Sequence, residues 1–357
     1  MKRLISAMMI FISVLCLISG AFAEGNEELD YNAFDSVMVS GIADFDVVFE
    51  LLPEAYNATE SAHPGTVERL HYTTAVYEDG VTYEKYCTVY LPYGYDPENK
   101  ETKYNVLYWQ HGSGGHPNEL WDHQVLGQNA KNMIDNMFDE DHRVMEPCII
   151  ICPTYYVGID ESDFKSFKPQ DAGDGRENGM LPNYYIEVIH DLIPQIESRY
   201  NVYCEDFSEE GIKASRDHRA WAGFSRGSVE TWNLMNRDFE YFRYWFPMSA
   251  GVMPEGVSAD ELEEKGYTLD EKIAYVREPV EKNPELPFFL MITYEFPEGR
   301  DVFSDKDFLQ ALYEQQDLFS YGQNPEVNNM YFTASTYRHL DYYMPRYLYQ
   351  ARNILFK

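Results

Sequence analysis

The sequence has 357 residues, of which 45% are hydrophobic and 25% charged, a composition typical of a globular protein with one large core or two modest ones. Its 60 acidic and 28 basic side chains give a formal net charge of −32, which opposes contact with phosphate groups. We therefore expect no nucleic-acid partner and no anionic membrane surface, and a neutral substrate fits this charge better.

The N-terminal segment has the pattern of a secretory signal peptide. Lys2 and Arg3 precede an apolar run from Leu4 to about Ile18, and small residues then lead to an Ala-x-Ala sequence that ends at Ala23. The run is shorter than the roughly 20 apolar residues that a membrane span needs. We expect removal of residues 1–23 by cleavage near Ala23 and a secreted protein, extracellular or periplasmic, with no membrane attachment afterwards.

The chain that follows alternates between strand and helix patterns. Residues 24–65 are acidic and weakly periodic, and we interpret them as an N-terminal extension over the main body. A β-hairpin is predicted next, with strands at Val67–Tyr77 and Thr82–Leu91. The further predicted strands are Asn105–Trp109, Cys148–Cys152, His218–Ala222, Tyr244–Met248, Pro287–Thr293 and Asn329–Thr333. The predicted helices are Glu119–Asn136, Tyr184–Tyr200, Arg226–Asn236, Asp305–Phe319 and Asp341–Leu355.

This alternation is typical of the α/β class, in which helices cover both faces of a mostly parallel central sheet. The sequence shows no internal repeat and no Pro- or Ser-rich linker. It therefore predicts one α/β domain of catalytic type over residues 66–357.

The cysteine pattern favours buried thiols over a disulfide framework or a metal site. Cys87, Cys148, Cys152 and Cys204 follow the signal segment. Cys148 and Cys152 fall in one β-branched run, where they would lie about 13 Å apart on one strand face, too far to bridge or to share a metal. We expect free, buried cysteines.

Gly223-Phe224-Ser225-Arg226-Gly227 form a G-x-S-x-G pattern between a predicted strand and a predicted helix. In this setting the glycines allow the strand to turn sharply into the helix, and the serine hydroxyl is held above the edge of the sheet. The sequence therefore predicts Ser225 as a catalytic nucleophile.

A nucleophilic serine needs a histidine as base and a carboxylate that orients the histidine, and in the α/β-hydrolase chain order both follow the serine. His339 is the only histidine after Ser225. The carboxylate is predicted in the segment after the strand Pro287–Thr293, with Asp301 first and Glu295 second among the alternatives. The other carboxylates considered there are Glu298 and Asp305.

Acyl transfer also requires donors for the developing oxyanion. The predicted donors are the backbone amides of Arg226, directly after the nucleophile, and of Ser113, with Gly114 next, in a glycine-rich loop that follows the strand Asn105–Trp109. The loop contains His111 and His116 but matches no phosphate-binding or zinc motif, so no metal site is expected.

Several segments together resemble a known family. They are Val106–Gly115 (VLYWQHGSGG), Asp191–Ser198 (DLIPQIES), Asp217–Gly227 (DHRAWAGFSRG) and Pro247–Gly251 (PMSAG). They are similar to the Putative esterase (esterase D-like) group of α/β-hydrolases, which includes carbohydrate esterase family one with its feruloyl and acetylxylan esterases.

The resemblance implies an α/β-hydrolase fold, no cofactor and a triad of Ser225, Asp301 and His339. The sequence departs from the family's usual G-x-S-M-G-G elbow at Arg226 and Ser228. The family acid usually follows a G-x-x-D turn, whereas here the glycine stands two residues before Asp301.

The leading hypothesis is a secreted serine esterase that removes feruloyl or acetyl groups from plant cell-wall polysaccharide such as xylan. The alternatives are an esterase for another small ester (a siderophore, thioester or peptide) and a non-catalytic carbohydrate-binding protein on a hydrolase scaffold. His116, Trp121 and Trp232 lie near the motifs and are candidate substrate contacts. The oligomeric state is left open.

Overall fold

The computed structural model describes most of the chain after residue 38, and these residues belong to the compact unit Ser36–Lys357. The predicted signal peptide 1–23 and Asp301 lie outside the described residues. The described ranges are 39–42, 45–47, 49–50, 52–53, 56, 60–122, 130–141, 143–156, 183–254, 257, 262–295, 306–335, 339 and 344–357.

The centre of the structure is a mostly parallel sheet. Within the described residues, eight strands form it in the order β10-β9-β8-β7-β5-β6-β4-β3, and β1 and β2 form a separate antiparallel pair. The pairs β3–β4 and β4–β6 are antiparallel, and the others in the large sheet are parallel. The strands are β1 Val39–Ile42, β2 Phe45–Val47, β3 Thr66–Thr74, β4 Tyr83–Leu91, β5 Val106–Gln110, β6 Ile149–Cys152, β7 Arg219–Phe224, β8 Tyr244–Met248, β9 Phe289–Glu295 and β10 Met330–Ser335.

Helices flank this sheet. Every residue of β5, β6, β7 and β8 is buried, so both faces of the sheet's centre are covered. The predicted α/β class is therefore confirmed. The helices are α1 Glu119–Asp122, α2 Ala130–Phe138, α3 Tyr184–Glu187 continued by a π-helical segment Val188–Leu192 and by Ile193–Glu197, α4 Glu209–Ala214, α5 Arg226–Arg237, α6 Leu262–Lys265, α7 Leu269–Lys282, α8 Lys306–Tyr313 and α9 Met344–Gln350, with short 3₁₀ segments at Arg216–His218, Phe239–Tyr241 and Ala351–Asn353.

The helices of the structure differ in part from the predicted ones. The helix predicted over Glu119–Asn136 is described as α1 and α2, with residues 123–129 outside the described part. Helix α7 was not predicted, although Thr268 and Glu271 form a capping box at its start, which is a recognisable sequence signal.

Part of the predicted N-terminal extension packs against the C-terminal helix. The ring of Phe49 lies edge-on to that of Tyr347, with 5.7 Å between the centroids. The Glu50 backbone N–H donates to Gln350 Oε1 at 2.9 Å, the Gln350 side chain donates back to the Glu50 carbonyl at 2.7 Å, and the Glu50 carboxylate pairs with Arg352. Reciprocal bonds of this kind fix these two segments relative to each other. The domain boundary at residue 65 stays a prediction.

The described cysteines are Cys87, Cys148, Cys152 and Cys204, and all of them are free and buried, as predicted. Among the described residues, no helix combines the length and the apolar character that crossing a membrane requires.

Candidate active site

Ser225 stands at the turn between β7 and α5. Its backbone angles are φ 55° and ψ −116°, in a region that non-glycine residues rarely occupy. Its N–H donates to the Met248 carbonyl at the end of β8, at 2.8 Å. The neighbouring strand therefore holds the serine in a strained conformation of the kind that clusters at functional sites.

The two glycines of the G-x-S-x-G pattern are required by close backbone contacts. A Cβ on Gly223 would lie 2.0 Å from the Gly227 carbonyl oxygen, and a Cβ on Gly227 would lie 2.5 Å from the Gln110 carbonyl oxygen. No larger residue fits either position without a backbone shift. The sharp turn that exposes the serine therefore depends on both glycines.

His339 lies against this turn. Its Nε2 is 2.8 Å from Ser225 Oγ, and its ring stacks on Phe224 with 4.7 Å between the centroids. When Nε2 accepts the hydroxyl hydrogen of the serine, Nδ1 of the neutral ring carries the other hydrogen. The structure thus brings the predicted nucleophile and base together, 114 residues apart in sequence.

The carboxylate that would orient His339 is not identified by the described residues. Asp301, Glu298 and Asp305 lie outside them, and of Glu295 only the backbone position at the end of β9 is described. Strands β7, β8 and β9 are parallel, so Glu295 ends β9 at the sheet edge where Ser225 stands. Asp301, with Glu295 as the alternative, stays a prediction.

The glycine loop after β5 lies beside Ser225. A Cβ on Gly112 would be 3.2 Å from the Cβ of Ser225. The Gly115 N–H donates to the Gly112 carbonyl at 3.2 Å, and Gly114 has φ 74°, so the loop is a tight turn that needs glycine at its third position. The Gly114 N–H donates to the Tyr156 hydroxyl at 2.9 Å.

Arg226 is the first residue of α5, so its amide belongs to the first turn, whose N–H groups have no carbonyl acceptor within the helix. This end of a helix favours negative charge. The roles of the Arg226 and Ser113 amides as oxyanion donors stay predictions.

Sequence reasoning missed the groups that hold the glycine loop. His111 is 2% exposed, its Nδ1 is 2.8 Å from the Gly112 carbonyl oxygen, and its Nε2 is 2.8 Å from Thr154 Oγ1. Burial lowers the pKa of His111 to about 3, so the ring is neutral at pH 7. Because a carbonyl can only accept, Nδ1 carries the hydrogen and Nε2 accepts from Thr154.

The residues 84–331 match the family model described as "Putative esterase". The chain belongs to the Putative esterase family. The predicted resemblance is confirmed by this match. Solved structures with the same fold include the feruloyl esterase module from Clostridium thermocellum, a serine-to-alanine mutant complexed with sinapinate, with a TM-score of 0.67 and 23% identity over 90% of this chain and 95% of that one.

A CE1 ferulic acid esterase from Anaeromyces mucronatus is also similar, with a TM-score of 0.55 and 16% identity over 85% of this chain and 96% of that one. These structures confirm the α/β-hydrolase fold.

Among curated proteins, Endo-1,4-beta-xylanase Y from Acetivibrio thermocellus is 31% identical over 247 residues, 63% of this chain. Endo-1,4-beta-xylanase/feruloyl esterase from Xylanibacter ruminicola is 31% identical over 179 residues, 48% of this chain. The chain spans 20% of the length of each of these two relatives.

The two residues at which this family member departs from the usual elbow both have defined contacts. Arg226 is half-buried, its Nη1 donates to the Val257 carbonyl at 3.4 Å, and burial lowers the pKa of its guanidinium. Ser228 Oγ donates to the Ala250 carbonyl at 2.6 Å. Ser228 thus ties α5 to the turn after β8, which a glycine at this position could not do.

The three residues predicted to contact substrate lie in different environments. Trp232 is 1% exposed and its Nε1 donates to the Ala250 carbonyl at 3.2 Å, so it packs in the core and offers no surface to a substrate. Trp121 is half-buried, stacks on Tyr90 and donates to Thr88 Oγ1 at 2.9 Å. His116 is half-buried in the glycine loop, where its Nδ1 accepts from the Asn118 N–H at 3.2 Å.

In the described part of the chain, the one group of His, Cys, Asp and Glu side chains spaced to hold a metal ion is His63, Asp139 and Asp141. His63 Nδ1 lies 3.2 Å from Asp139 Oδ1, and Ser61 Oγ donates to Asp139 Oδ2 at 2.7 Å. These bonds join the end of the extension to the segment after α2. The group shares no residue with the elbow or the glycine loop.

Proposed function

We propose that the protein is a secreted serine carboxylic-ester hydrolase that removes feruloyl, or acetyl, groups from plant cell-wall polysaccharide such as xylan. The observation that supports it most is the 2.8 Å hydrogen bond between Ser225 Oγ and His339 Nε2 at a strained strand-to-helix turn. The named xylanase and feruloyl esterase relatives support the choice of substrate. A net charge of −32 fits an uncharged ester better than a phosphate.

In the acylation step, His339 takes the proton of Ser225 as the oxygen attacks the ester carbonyl. The amides of Arg226 and Ser113 donate to the oxyanion of the tetrahedral intermediate. Asp301, or alternatively Glu295, accepts the Nδ1 hydrogen of His339 and stabilises the imidazolium. The intermediate collapses when His339 gives its proton to the departing sugar oxygen, which leaves an acyl group on Ser225.

In the deacylation step, His339 removes a proton from water, and the resulting hydroxide attacks the acyl carbonyl on Ser225. The same amides hold the second oxyanion. His339 then returns the proton to Ser225 Oγ, and the free acid, ferulate or acetate, is released. The cycle consumes one water and needs no other reactant.

The decisive experiment compares the wild-type chain with Ser225→Ala and His339→Ala on feruloylated arabinoxylan, acetylated xylan and methyl ferulate. We expect ferulate or acetate release by the wild type, and a loss of at least about 10³-fold in kcat for both variants because the triad acts as a unit. Asp301→Asn and Glu295→Gln, assayed beside them, identify the acid as the position whose change costs a similar factor.

Labelling with a fluorophosphonate separates the remaining outcomes. Labelling of Ser225 without release of ferulate or acetate would replace the cell-wall substrate by another small ester. Absence of both labelling and turnover would reject the esterase proposal.

Secretion is tested by N-terminal sequencing of the exported protein, which should begin at Glu24. An uncleaved chain retained in the cell would contradict the proposed secretion.

A further inference from the structure

The segment Thr154–Tyr156, which follows β6, contacts the glycine loop through each of its residues. Thr154 Oγ1 donates to Nε2 of His111 at 2.8 Å, the Tyr155 hydroxyl donates to the Gly112 carbonyl at 2.8 Å, and the Tyr156 hydroxyl accepts from the Gly114 N–H at 2.9 Å. The three side chains are at most 6% exposed. No part of the mechanism above uses them.

The contacts on Gly112 fix the orientation of one peptide group. Its carbonyl oxygen accepts from the Tyr155 hydroxyl and from His111 Nδ1, both at 2.8 Å, and from the Gly115 N–H at 3.2 Å. The peptide is planar and trans, so the N–H of Ser113 points away from that carbonyl. The donors that hold the Gly112 carbonyl therefore also fix the direction of the Ser113 N–H, in the peptide that follows the close approach of Gly112 to Ser225.

The contact on Gly114 has the complementary effect. Its N–H donates to the buried Tyr156 hydroxyl, so this amide is already engaged and does not offer its hydrogen to a substrate carbonyl. The rings of Tyr155 and Tyr156 also pack on His111, with centroid distances of 4.7 and 5.5 Å, which limits their movement. Of the two loop amides predicted from sequence, the geometry therefore favours Ser113.

We propose that Tyr155 and Tyr156 are positioning residues for the oxyanion site: Tyr155 aims the Ser113 amide at the reacting oxygen, and Tyr156 turns the Gly114 amide away from it. This inference rests on the proposed function, since it concerns the donors of that reaction. A donor that is misaligned loses stabilisation in the transition state and leaves substrate binding intact, because the oxyanion forms only there. Loss of either hydroxyl should therefore lower kcat and spare KM.

The test uses Tyr155→Phe and Tyr156→Phe, with Tyr108→Phe as the matched control. Tyr108 is a buried tyrosine of β5 whose hydroxyl donates to Glu197 at 2.7 Å, and Glu197 keeps its bonds to Arg219 in the variant. Each of the two loop variants removes one hydroxyl and keeps the turn bond from the Gly115 N–H to the Gly112 carbonyl. All three variants should fold, which circular dichroism and Tm would verify.

We expect kcat for methyl ferulate to fall at least tenfold in Tyr155→Phe and Tyr156→Phe, with KM within twofold of the wild type. Tyr108→Phe should change neither by more than twofold. If the tyrosine variants of the loop behave like Tyr108→Phe while the wild type is active, the positioning inference is wrong and the proposed function stands.

Phosphonylation of Ser225 by a fluorophosphonate gives a second readout that does not depend on the ester substrate. The reaction places a phosphonyl oxygen where the oxyanion would lie, so its second-order rate constant should fall at least tenfold in Tyr155→Phe and Tyr156→Phe. If the wild type hydrolyses no ester, the cell-wall proposal fails and these rates alone decide the inference. Rates equal to that of Tyr108→Phe, or no phosphonylation of the wild type at all, would overturn it.

Discussion

Ser225 occupies the N-cap position of α5, where a serine hydroxyl ordinarily accepts a hydrogen bond from an amide of the first turn. In this helix the side chain makes no such cap bond, and Ser225 Oγ instead lies 2.8 Å from His339 Nε2. The left-handed φ of 55° turns the side chain away from the helix start. The residue thus gives up a local stabilising contact, which is the pattern expected at a functional position.

His111 shows how a motif residue can be structural. Its two ring nitrogens bond Gly112 and Thr154, and burial lowers its pKa to about 3 from the ordinary value of 6.5. Between about pH 3 and pH 6.5, His111 carries an extra proton in the unfolded chain that it does not carry in the folded chain. The stability that neutral His111 confers is therefore complete above pH 6.5 and is lost as the pH falls toward 3.

The prediction concerns His111→Asn, measured by urea unfolding between pH 7 and pH 4. The wild type should be more stable at pH 7, and its advantage should shrink toward low pH by up to about 1.4 kcal/mol per pH unit. Repeating the series in 1 M NaCl is the control, since a burial effect persists where long-range charge effects are screened. An advantage that stays constant from pH 7 to pH 4 would contradict the assignment.

At the scale of elements, a buried ion pair joins β7, β5 and α3. Arg219 at the start of β7 donates to both oxygens of Glu197 at 2.7 and 2.8 Å, and the Tyr108 hydroxyl of β5 donates to the same carboxylate at 2.7 Å. Burial disfavours the charge on Arg219, but the Glu197 carboxylate outweighs this and raises the pKa of the guanidinium. The pair sits at the strand end opposite to Ser225.

We predict that Glu197→Gln lowers the free energy of unfolding by about 3–5 kcal/mol, because it leaves a buried guanidinium without its counter-charge. Activity below the lowered Tm should stay within twofold of the wild type, since the elbow is at the other end of β7. Glu281→Gln is the matched control: Glu281 is the exposed partner of Arg277, and its loss should cost less than about 1 kcal/mol. Equal effects of the two changes would rule out the buried pair as a major contributor.

The elements differ in how well the sequence predicted them. Strand β8 was predicted with its observed bounds, Tyr244–Met248, and the other strands of the parallel part within two residues. These strands are continuous apolar runs bounded by polar turns, so the local pattern suffices. The predicted helix Asp305–Phe319 ends earlier in the structure, at Tyr313. After it, the Gln315 and Phe319 N–H groups form turn hydrogen bonds, which the hydrophobic periodicity of the sequence does not predict.

At the scale of the whole molecule, the four described cysteines are free, although the predicted export would permit disulfides. Cys87 and Cys152 lie on the paired strands β4 and β6, yet both thiols are free. The strand partner of Cys152 is Thr88, so the Cys87 side chain points to the other face of the sheet. Burial raises the pKa of the Cys87, Cys148 and Cys152 thiols, which suppresses the reactive thiolate.

The prediction is that the chain from Glu24 onward shows no reaction with Ellman's reagent when folded and four reactive thiols in guanidinium, and that its Tm is the same with and without dithiothreitol. Tyr93→Cys, at a position 57% exposed, is the control and should react in the folded state. Fewer than four thiols in guanidinium would reveal a disulfide and contradict the structure.

The sequence by itself determined the α/β class, the family and the glycine-flanked turn at Ser225, and it predicted that His339 meets this serine. The apolar runs predict the strands, and the glycines on both sides of Ser225 permit the tight turn. His339 could be named because it is the one histidine after Ser225. Only the tertiary structure decided that Trp232 is a core residue, that Ser228 anchors the turn after β8, and that the Gly114 amide points to Tyr156. Those outcomes depend on contacts between segments 18 to 42 residues apart, whose pairing is set by how strands align in the sheet.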